Sequence, residues 1–279
     1  MKIKVCDFDL VSTILSGQCF RIYSEEDGSY TCIISDRVIN VKQIEDILYV
    51  KSNDMNNIEE VIRYYFDLDN SYGEMNKIIS CDEVMSLCVS KCKGYKILRQ
   101  NGFEMCISYI ISQNNNVKRI SKSIDMLCKN RGKKIIFMNK EYYLFPQYDD
   151  IKDITSEELK RYGVGFRDKY IKSAVDYVTE NKEDVLSYRK LSTDECVKEL
   201  IKFNGVGPKV ADCIALFGMQ KYDTFPVDVW VKRVMEEFYV EENLSLPKIR
   251  KFALDKWGDL AGFAQQYLFY YARELGIGR

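Results

Sequence analysis

A lysine and a thiol four residues apart are the groups of this sequence best placed for covalent chemistry. In IKFNGVGPKVADC (201–213) a helix-like run meets Gly205, Val206 and Gly207, then Pro208, then Lys209, with Cys213 one turn on. Residues four apart share a helix face, so the amine and the thiol can line one pocket wall. Pro208 fits the first turn of a new helix, where its missing N–H is harmless. The unpaired N–H groups and the dipole of that helix end form an anion site suited to a DNA phosphate. The dipole and burial should lower the pKa of Lys209, leaving a partly neutral amine able to form a Schiff base. The competing reading is a solvated surface lysine.

A carboxylate follows in TFPVDVWVKRVM (224–235), where Asp228 opens another helix behind Pro226. Alone it reads as an N-cap; downstream of a lysine hairpin it is also a candidate electrostatic partner. The chain has no histidine, which excludes Ser-His-Asp triads, His–Zn sites and imidazole catalysis. Proton transfer then falls to Asp, Glu, Lys, Cys, Tyr or water. The ten cysteines are scattered without C-x-x-C spacing, and Cys88 and Cys92 lack a second pair nearby. They read as free thiols, with no metal site expected.

The elements that must position these groups are of two kinds. SYTCIIS, RVINV and ILYVKS in the first fifty residues are β-prone runs, with the turn SEEDGS before the first of them. They predict an antiparallel sheet with one covered face. From Asn56 onward, NIEEVIRYYF and DEVMSLCVSKC repeat apolar residues at helical spacing. Thr155/Glu158 and Ser192/Glu195 are capping boxes, and FPQYDDIKD (145–153) reads as a loop between helical layers. The fold class is therefore α+β: a strand-rich domain over 1–82 and a helical region over 83–279. A second Gly-Val-Gly lies in LKRYGVGFRDKYI (159–171), as a used turn or an ordinary C-cap.

The chain has 279 residues and a net charge of −1. Residues 1–90 carry 8 Lys/Arg against 16 Asp/Glu and residues 91–134 carry 11 against 2, so a local basic block could face a polyanion or form a solvated helix face. There is no apolar run near the roughly 18 residues of a membrane helix and no signal-like start. An intracellular protein (cytoplasm or nucleoid in a bacterium), monomeric and away from membranes, is expected.

GVGPKVA with PVD resembles the helix-hairpin-helix, Gly-Pro-Asp superfamily of DNA glycosylases. SGQCFR (16–21), SQNNNVKRI (112–120), GVGFRDKY (163–170), KVADCI (209–214) and AQQYLF (264–269) are similar to the 8-oxoguanine DNA glycosylase family, in its order and across nearly the whole chain. The endonuclease III branch carries a C-terminal four-cysteine cluster, whereas the last cysteine here is Cys213. The resemblance implies a helical core of two subdomains with the active site between them. It implies a base-flipping glycosylase and lyase acting on duplex DNA with 8-oxoguanine: Lys209 attacks C1′ and Asp228 stabilises the cationic sugar. Gly17 would accept from N7–H, Cys213 and Phe269 would sandwich the base, and Gln265 would bond its Watson–Crick edge. Gly17 as a simple turn and Phe269 as plain core are the competing readings.

By the same resemblance Asn114, Arg119 and Arg167 would contact the opposite cytosine, or the arginines phosphate alone. Phe166 would wedge into the duplex, and Gly205, Val206 and Gly207 would meet a phosphate. No cofactor is required, and the hairpin is a candidate for a monovalent cation held by carbonyls. Phe166 stands where the family has tyrosine, Trp230 where it has histidine and Ala272 where it has aspartate, so a looser opposite-base choice is expected. Two alternatives are a monofunctional alkyl-base glycosylase, which would lack Lys209, and a non-catalytic hairpin module, which needs no Asp228, Gln265 or Phe269.

Overall fold

The computed structural model describes residues 1–182, 184–241 and 243–277. Strands β1 (Lys2–Lys4), β2 (Ile22–Ser24), β3 (Tyr30–Ile34), β4 (Arg37–Ile44) and β5 (Ile47–Ser52) form an antiparallel sheet in the order β1-β5-β4-β3-β2. The long β4 pairs on both edges, with Val41 opposite Tyr30 of β3 and Val50 of β5. SEEDGS is the β2–β3 turn, with Gly28 at φ +78.

One sheet face buries Ile39, Val41 and Val50 against Leu10 and Ile14 of α1 (Leu10–Ile14) and Ile58 and Ile62 of α2 (Ile58–Tyr65). α2 earns this face by its spacing: Ile58, Ile62 and Tyr65 are buried while Glu59 and Arg63 pair on the outside at 2.9 Å. The other face is also covered, contrary to the single covered face predicted. Ile33 and Val38 pack against Tyr142 and Leu144, brought there by a two-stranded hairpin of β6 (Lys134–Phe137) and β7 (Lys140–Tyr143). Burial on both sides explains the unbroken apolar run in TCIIS, which alternation would not produce.

Helices build the rest: α3 (Tyr72–Ile79), α4 (Glu83–Lys91), α5 (Gly102–Ser112), α6 (Val117–Arg131), α7 (Tyr148–Ile151), α8 (Ser156–Arg161), α9 (Asp168–Asn181) and α10 (Thr193–Ile201). α11 (Pro208–Met219), α12 (Val229–Phe238), α13 (Leu246–Trp257) and α14 (Ala261–Leu275) follow. Both capping boxes form as predicted, at the starts of α8 and α10. The 145–153 stretch is not all loop, because Asp150 reaches back to the backbone N–H of Gln147 and caps the one-turn α7. No helix among the described residues is long and apolar enough to cross a membrane.

The helices sort into two layers by their contacts. α11 packs on α5 and α10, and α5 on α6 and α9, whereas α14 packs on α4, α12 and α13. α4 thus joins the last helices of the chain, and the two layers meet between α11 and α14. A buried ion pair fixes how they meet. Asp212 of α11, 1% exposed, accepts from Nε and Nη2 of Arg250 on α13 at 2.7 and 2.9 Å and from Thr224 Oγ1 at 2.7 Å. Asp212→Ala leaves the guanidinium unpaired and should destabilise the fold by about 3 kcal/mol, measured by urea denaturation.

Candidate active site

The hairpin between α10 and α11 is built by two anchors and two glycines. Phe203 and Val206 are buried, so Val206 can offer an external anion only its backbone. Gly205 has φ +80, and a Cβ there would sit 2.5 Å from the ring of Tyr170. Gly207 has an ordinary φ of −88, and a Cβ there would meet nothing within 4 Å. Gly205 is required by the protein's own packing, whereas the open side of Gly207 faces outward beside the free N–H groups of the first α11 turn. Pro208 occupies that first turn as predicted.

One residue into α11, Lys209 enters a pocket of about 130 Å³ that also holds Cys213, Asp228, Gly17, Gln265 and Phe269. The six residues assigned to catalysis and base recognition, from four separate chain segments, are all brought together. Tyr109 of α5 and Phe217 of α11 add two stacked rings to the wall, 5.6 Å apart and 11° from parallel. A larger cleft, of about 1210 Å³, contains none of these groups.

The charge state of the pocket differs from the sequence expectation. The Lys209 ammonium is held above its ordinary value, first by the Cys213 sulfur, then, against the opposing effect of burial, by the Asp228 carboxylate. Burial pushes the Cys213 thiol up to about 11, and the Asp228 carboxylate ranks behind both the sulfur and burial in its effect on the amine. The predicted lowering of Lys209 is thus reversed, first by the Cys213 sulfur one turn on, which outweighs the opposing effect of burial, and then by Asp228. Asp228 is also the N-cap of α12, accepting from the N–H groups of Trp230 and Val231 at 2.9 and 2.8 Å. Capping and charge stabilisation are compatible in one residue.

Gly17 follows α1 at φ +96, with open space where a Cβ would be. The backbone conformation itself calls for glycine there. Gln18, fully buried, ties the turn to the core. Its amide donates to the carbonyls of Thr13 and Lys96, both at 2.9 Å, and its oxygen accepts from the N–H of Leu98 at 2.8 Å. Gln265 is oriented by a relay the sequence did not reveal. Tyr95 donates to Gln266 at 2.8 Å, and Gln266 donates to the Gln265 oxygen at 2.5 Å. Phe269 is half-buried rather than plain core, with the ring of Trp230 packed on it at 4.5 Å between centroids. Ala272 is fully buried. Tyr95, Tyr109, Phe217 and Gln266 carried no sequence signal beyond their aromatic or amide type.

The residues assigned to the opposite base form a second group. Phe166 is 56% exposed at the first Gly-Val-Gly turn, and Asn114 (φ +46) and Arg119 are exposed. Arg167 is placed differently from its predicted role. It is buried, and its guanidinium donates to the carbonyls of Gln113, Asn114 and Val164. It braces the turn that presents Asn114, under the Phe166 ring at 4.4 Å. The basic block is also narrower than its composition suggests. Arg99 pairs with Asp67, Arg131 with Asp153 and Glu158, and Lys134 with Glu141, while Lys96 is buried over the Tyr72 ring. Among the described residues Lys91, Lys93, Lys118, Arg119, Lys122, Lys129 and Lys133 are the exposed remainder of the block, with Lys118, Arg119 and Lys122 clustered at the start of α6. No group of three or more His, Cys, Asp or Glu suited to a metal ion occurs among the described residues.

Comparison with known proteins places the chain in a family over nearly its whole length. Residues 1–106 match the N-terminal domain of 8-oxoguanine DNA glycosylase, and residues 107–259 match the HhH-GPD superfamily of base excision DNA repair proteins. The chain is 29% identical over 305 residues to a "Probable N-glycosylase/DNA lyase" of Methanothermobacter thermautotrophicus, covering 99% of this chain and 97% of that one. It is 29% identical over 318 residues to the N-glycosylase/DNA lyase of Saccharomyces cerevisiae, covering 96% and 83%. The solved 8-oxoguanine glycosylase/lyase of Clostridium acetobutylicum, in complex with double-stranded DNA containing cytosine opposite 8-oxoguanine, is 42% identical with a TM-score of 0.93, covering 97% of this chain and 93% of that one.

The two hairpin glycines should separate on substitution. Gly205→Ala combines a left-handed φ with a ring collision and should destabilise the fold by about 2–4 kcal/mol. Gly207→Ser should leave the unfolding temperature unchanged, since serine caps well, yet weaken duplex DNA binding about tenfold, or about 1.4 kcal/mol. Thermal melts and fluorescence anisotropy on both variants check this.

Proposed function

Because this chain belongs to the 8-oxoguanine DNA glycosylase family of the helix-hairpin-helix GPD superfamily, we propose that it is a bifunctional enzyme, a DNA N-glycosylase with apurinic-site lyase activity that removes 8-oxoguanine from duplex DNA. The observation that carries this reading is the single pocket in which the amine of Lys209 and the carboxylate of Asp228 meet Gly17, Cys213, Gln265 and Phe269. A lysine nucleophile separates this from a base excision that uses water alone.

A stacked base cannot reach the pocket, so the lesion nucleotide is extruded, at an energy of roughly a few kcal/mol. The 130 Å³ pocket is smaller than ordinary ligand sites of about 300–1,000 Å³. Side chains at its mouth therefore have to move as the base enters, and the exposed edge of Phe269 is the nearest movable wall. The Lys209 ammonium first gives up its proton to solvent water, because only the neutral amine has a lone pair. Nζ then bonds to C1′ as the glycosidic bond breaks and the base leaves with the bonding pair. Asp228 stabilises the positive charge on the sugar and on the new C–N nitrogen. Opening of the sugar ring yields a Schiff base, loss of a C2′ proton expels the 3′-phosphate by β-elimination, and water later releases the lysine. Among the residues described, the neutral Cys213 thiol offers polarizable contact area to the base without a competing charge.

Selection of 8-oxoguanine is supported by the Gly17 turn. Its carbonyl can accept from N7–H, which guanine lacks, and a carbonyl left without a donor penalises guanine. At the opposite strand, the engagement of Arg167 with three backbone carbonyls leaves Arg119 and Asn114 as the exposed readers, which supports a loose preference. Excision rates across the four pairings should therefore spread less than tenfold, about 1.4 kcal/mol, in single-turnover assays. A larger gap in favour of cytosine would contradict this.

Borohydride should trap wild-type enzyme on an 8-oxoguanine duplex, and Lys209→Gln should abolish the adduct; no adduct and no base release from wild type would overturn the proposal. The raised pKa of Lys209 sets the pH dependence. The reactive amine is scarce at neutral pH, so single-turnover trapping should rise into the alkaline range. Asp228→Asn removes one of the groups that favour the ammonium, so this rise should move to lower pH while the maximal rate falls about 10²–10³-fold. A pH profile of the variant that does not shift would sink the assignment of Asp228 as a charge partner of the amine.

A further inference from the structure

We propose that Arg273 is a positioning residue that sets base discrimination: it fixes the turn carrying Gly17, and so governs how well 8-oxoguanine is told from guanine without touching the base. The inference rests on the reading of Gly17 given above. Arg273 lies on α14, eight residues after Gln265 and four after Phe269, so the three residues form one stripe at a helical spacing of four. The first two enter the pocket. The third reaches past it to the loop of the N-terminal sheet domain. Its Nη1 donates to the carbonyl of Ser16 at 3.2 Å, and its Nη2 donates to the carbonyl of Leu15 at 3.3 Å.

These are the two carbonyls immediately before Gly17. A guanidinium presents its N–H groups in a rigid fork, so binding two successive carbonyls fixes their direction as well as their distance. The inner side of the same turn is held independently by Gln18, through Thr13, Lys96 and Leu98. Gln18 is buried and Arg273 exposed, so the turn has an inner pin and an outer clamp. Gly17 itself resists nothing: it has φ +96 and open space at its Cβ position, and glycine is the residue with the widest backbone freedom. Without the clamp, the segment from Leu15 to Gly17 can pivot about Gln18. A hydrogen bond that carries discrimination has a working range of only a few tenths of an ångström, so such pivoting weakens recognition of N7–H more than it weakens binding of DNA as a whole. The clamp also joins recognition to the rest of the pocket, because one helix then places the Watson–Crick contact, the stacking ring and the N7 acceptor.

The test compares two duplexes, one with 8-oxoguanine opposite cytosine and one with guanine in its place. Their affinities are measured by fluorescence anisotropy in a Lys209→Gln parent, which binds without excision. The parent should prefer the lesion duplex. Adding Arg273→Ala should lower that preference about tenfold, through weaker lesion binding with the guanine duplex unchanged. Arg273→Lys should restore only part of it, since one ammonium cannot reproduce the fork. Equal weakening on both duplexes, or full recovery with lysine, would mark Arg273 as a phosphate cation and overturn the proposal, as would an unchanged preference in Arg273→Ala. A parent without any lesion preference would instead overturn the 8-oxoguanine reading, and this inference with it.

Discussion

Asp212 sits one residue before Cys213 and three after Lys209 on α11, and does not line the pocket. Its carboxylate is buried, and both of its oxygens are engaged, by Arg250 of α13 and by Thr224. Thr224 begins the segment that ends in Asp228, and α13 packs on α14, which carries Gln265 and Phe269. One ion pair therefore relates the nucleophile helix, the carboxylate loop and the base-recognition helix. A buried charge is unfavourable unless its partners are held at close range, so the pair tolerates few relative positions of these elements. That intolerance makes it an effective spacer for a site assembled from remote segments.

The pocket that results is electrostatically asymmetric. A protonated lysine, a carboxylate that caps a helix and a thiol raised to about 11 by burial lie within one small cavity. At rest the amine is stabilised as a cation and is unreactive. This suits an enzyme that must search undamaged DNA, since a free neutral amine would offer a nucleophile to any sugar that strayed near. In the proposed mechanism reactivity depends on proton loss, which would link chemistry to the arrival of a base that excludes water from the pocket.

DNA-facing groups are separated from pocket groups by a similar economy of turns. Tyr170 lies between the two Gly-Val-Gly turns: its ring covers Gly205 of the second and meets Phe166 of the first at 6.2 Å. Phe166 and the hairpin before α11 are thus braced on one aromatic side chain. Arg167 adds to this by holding the Gln113–Asn114 turn, so the first Gly-Val-Gly turn braces a neighbouring loop as well as ending a helix.

Local chemistry was legible in the sequence wherever it depended on neighbours along the chain. Gly-Val-Gly-Pro-Lys, the Asp228 cap, both capping boxes and the i,i+4 pairs Lys209/Cys213 and Gln265/Phe269 are set by helix geometry, which residues within one turn determine. The three β-prone runs were legible for the same reason. The β6–β7 hairpin was not, since its strands are short and owe their stability to Ile33 and Val38 across the sheet. Tertiary structure alone decided the protonation of Lys209, the burial of Arg167, the packing of Trp230 on Phe269 and the reach of Arg273 to the Gly17 turn. Each of these depends on the field, contact or hydrogen bond of groups far away in sequence, and a one-dimensional pattern carries no record of which distant groups will become neighbours.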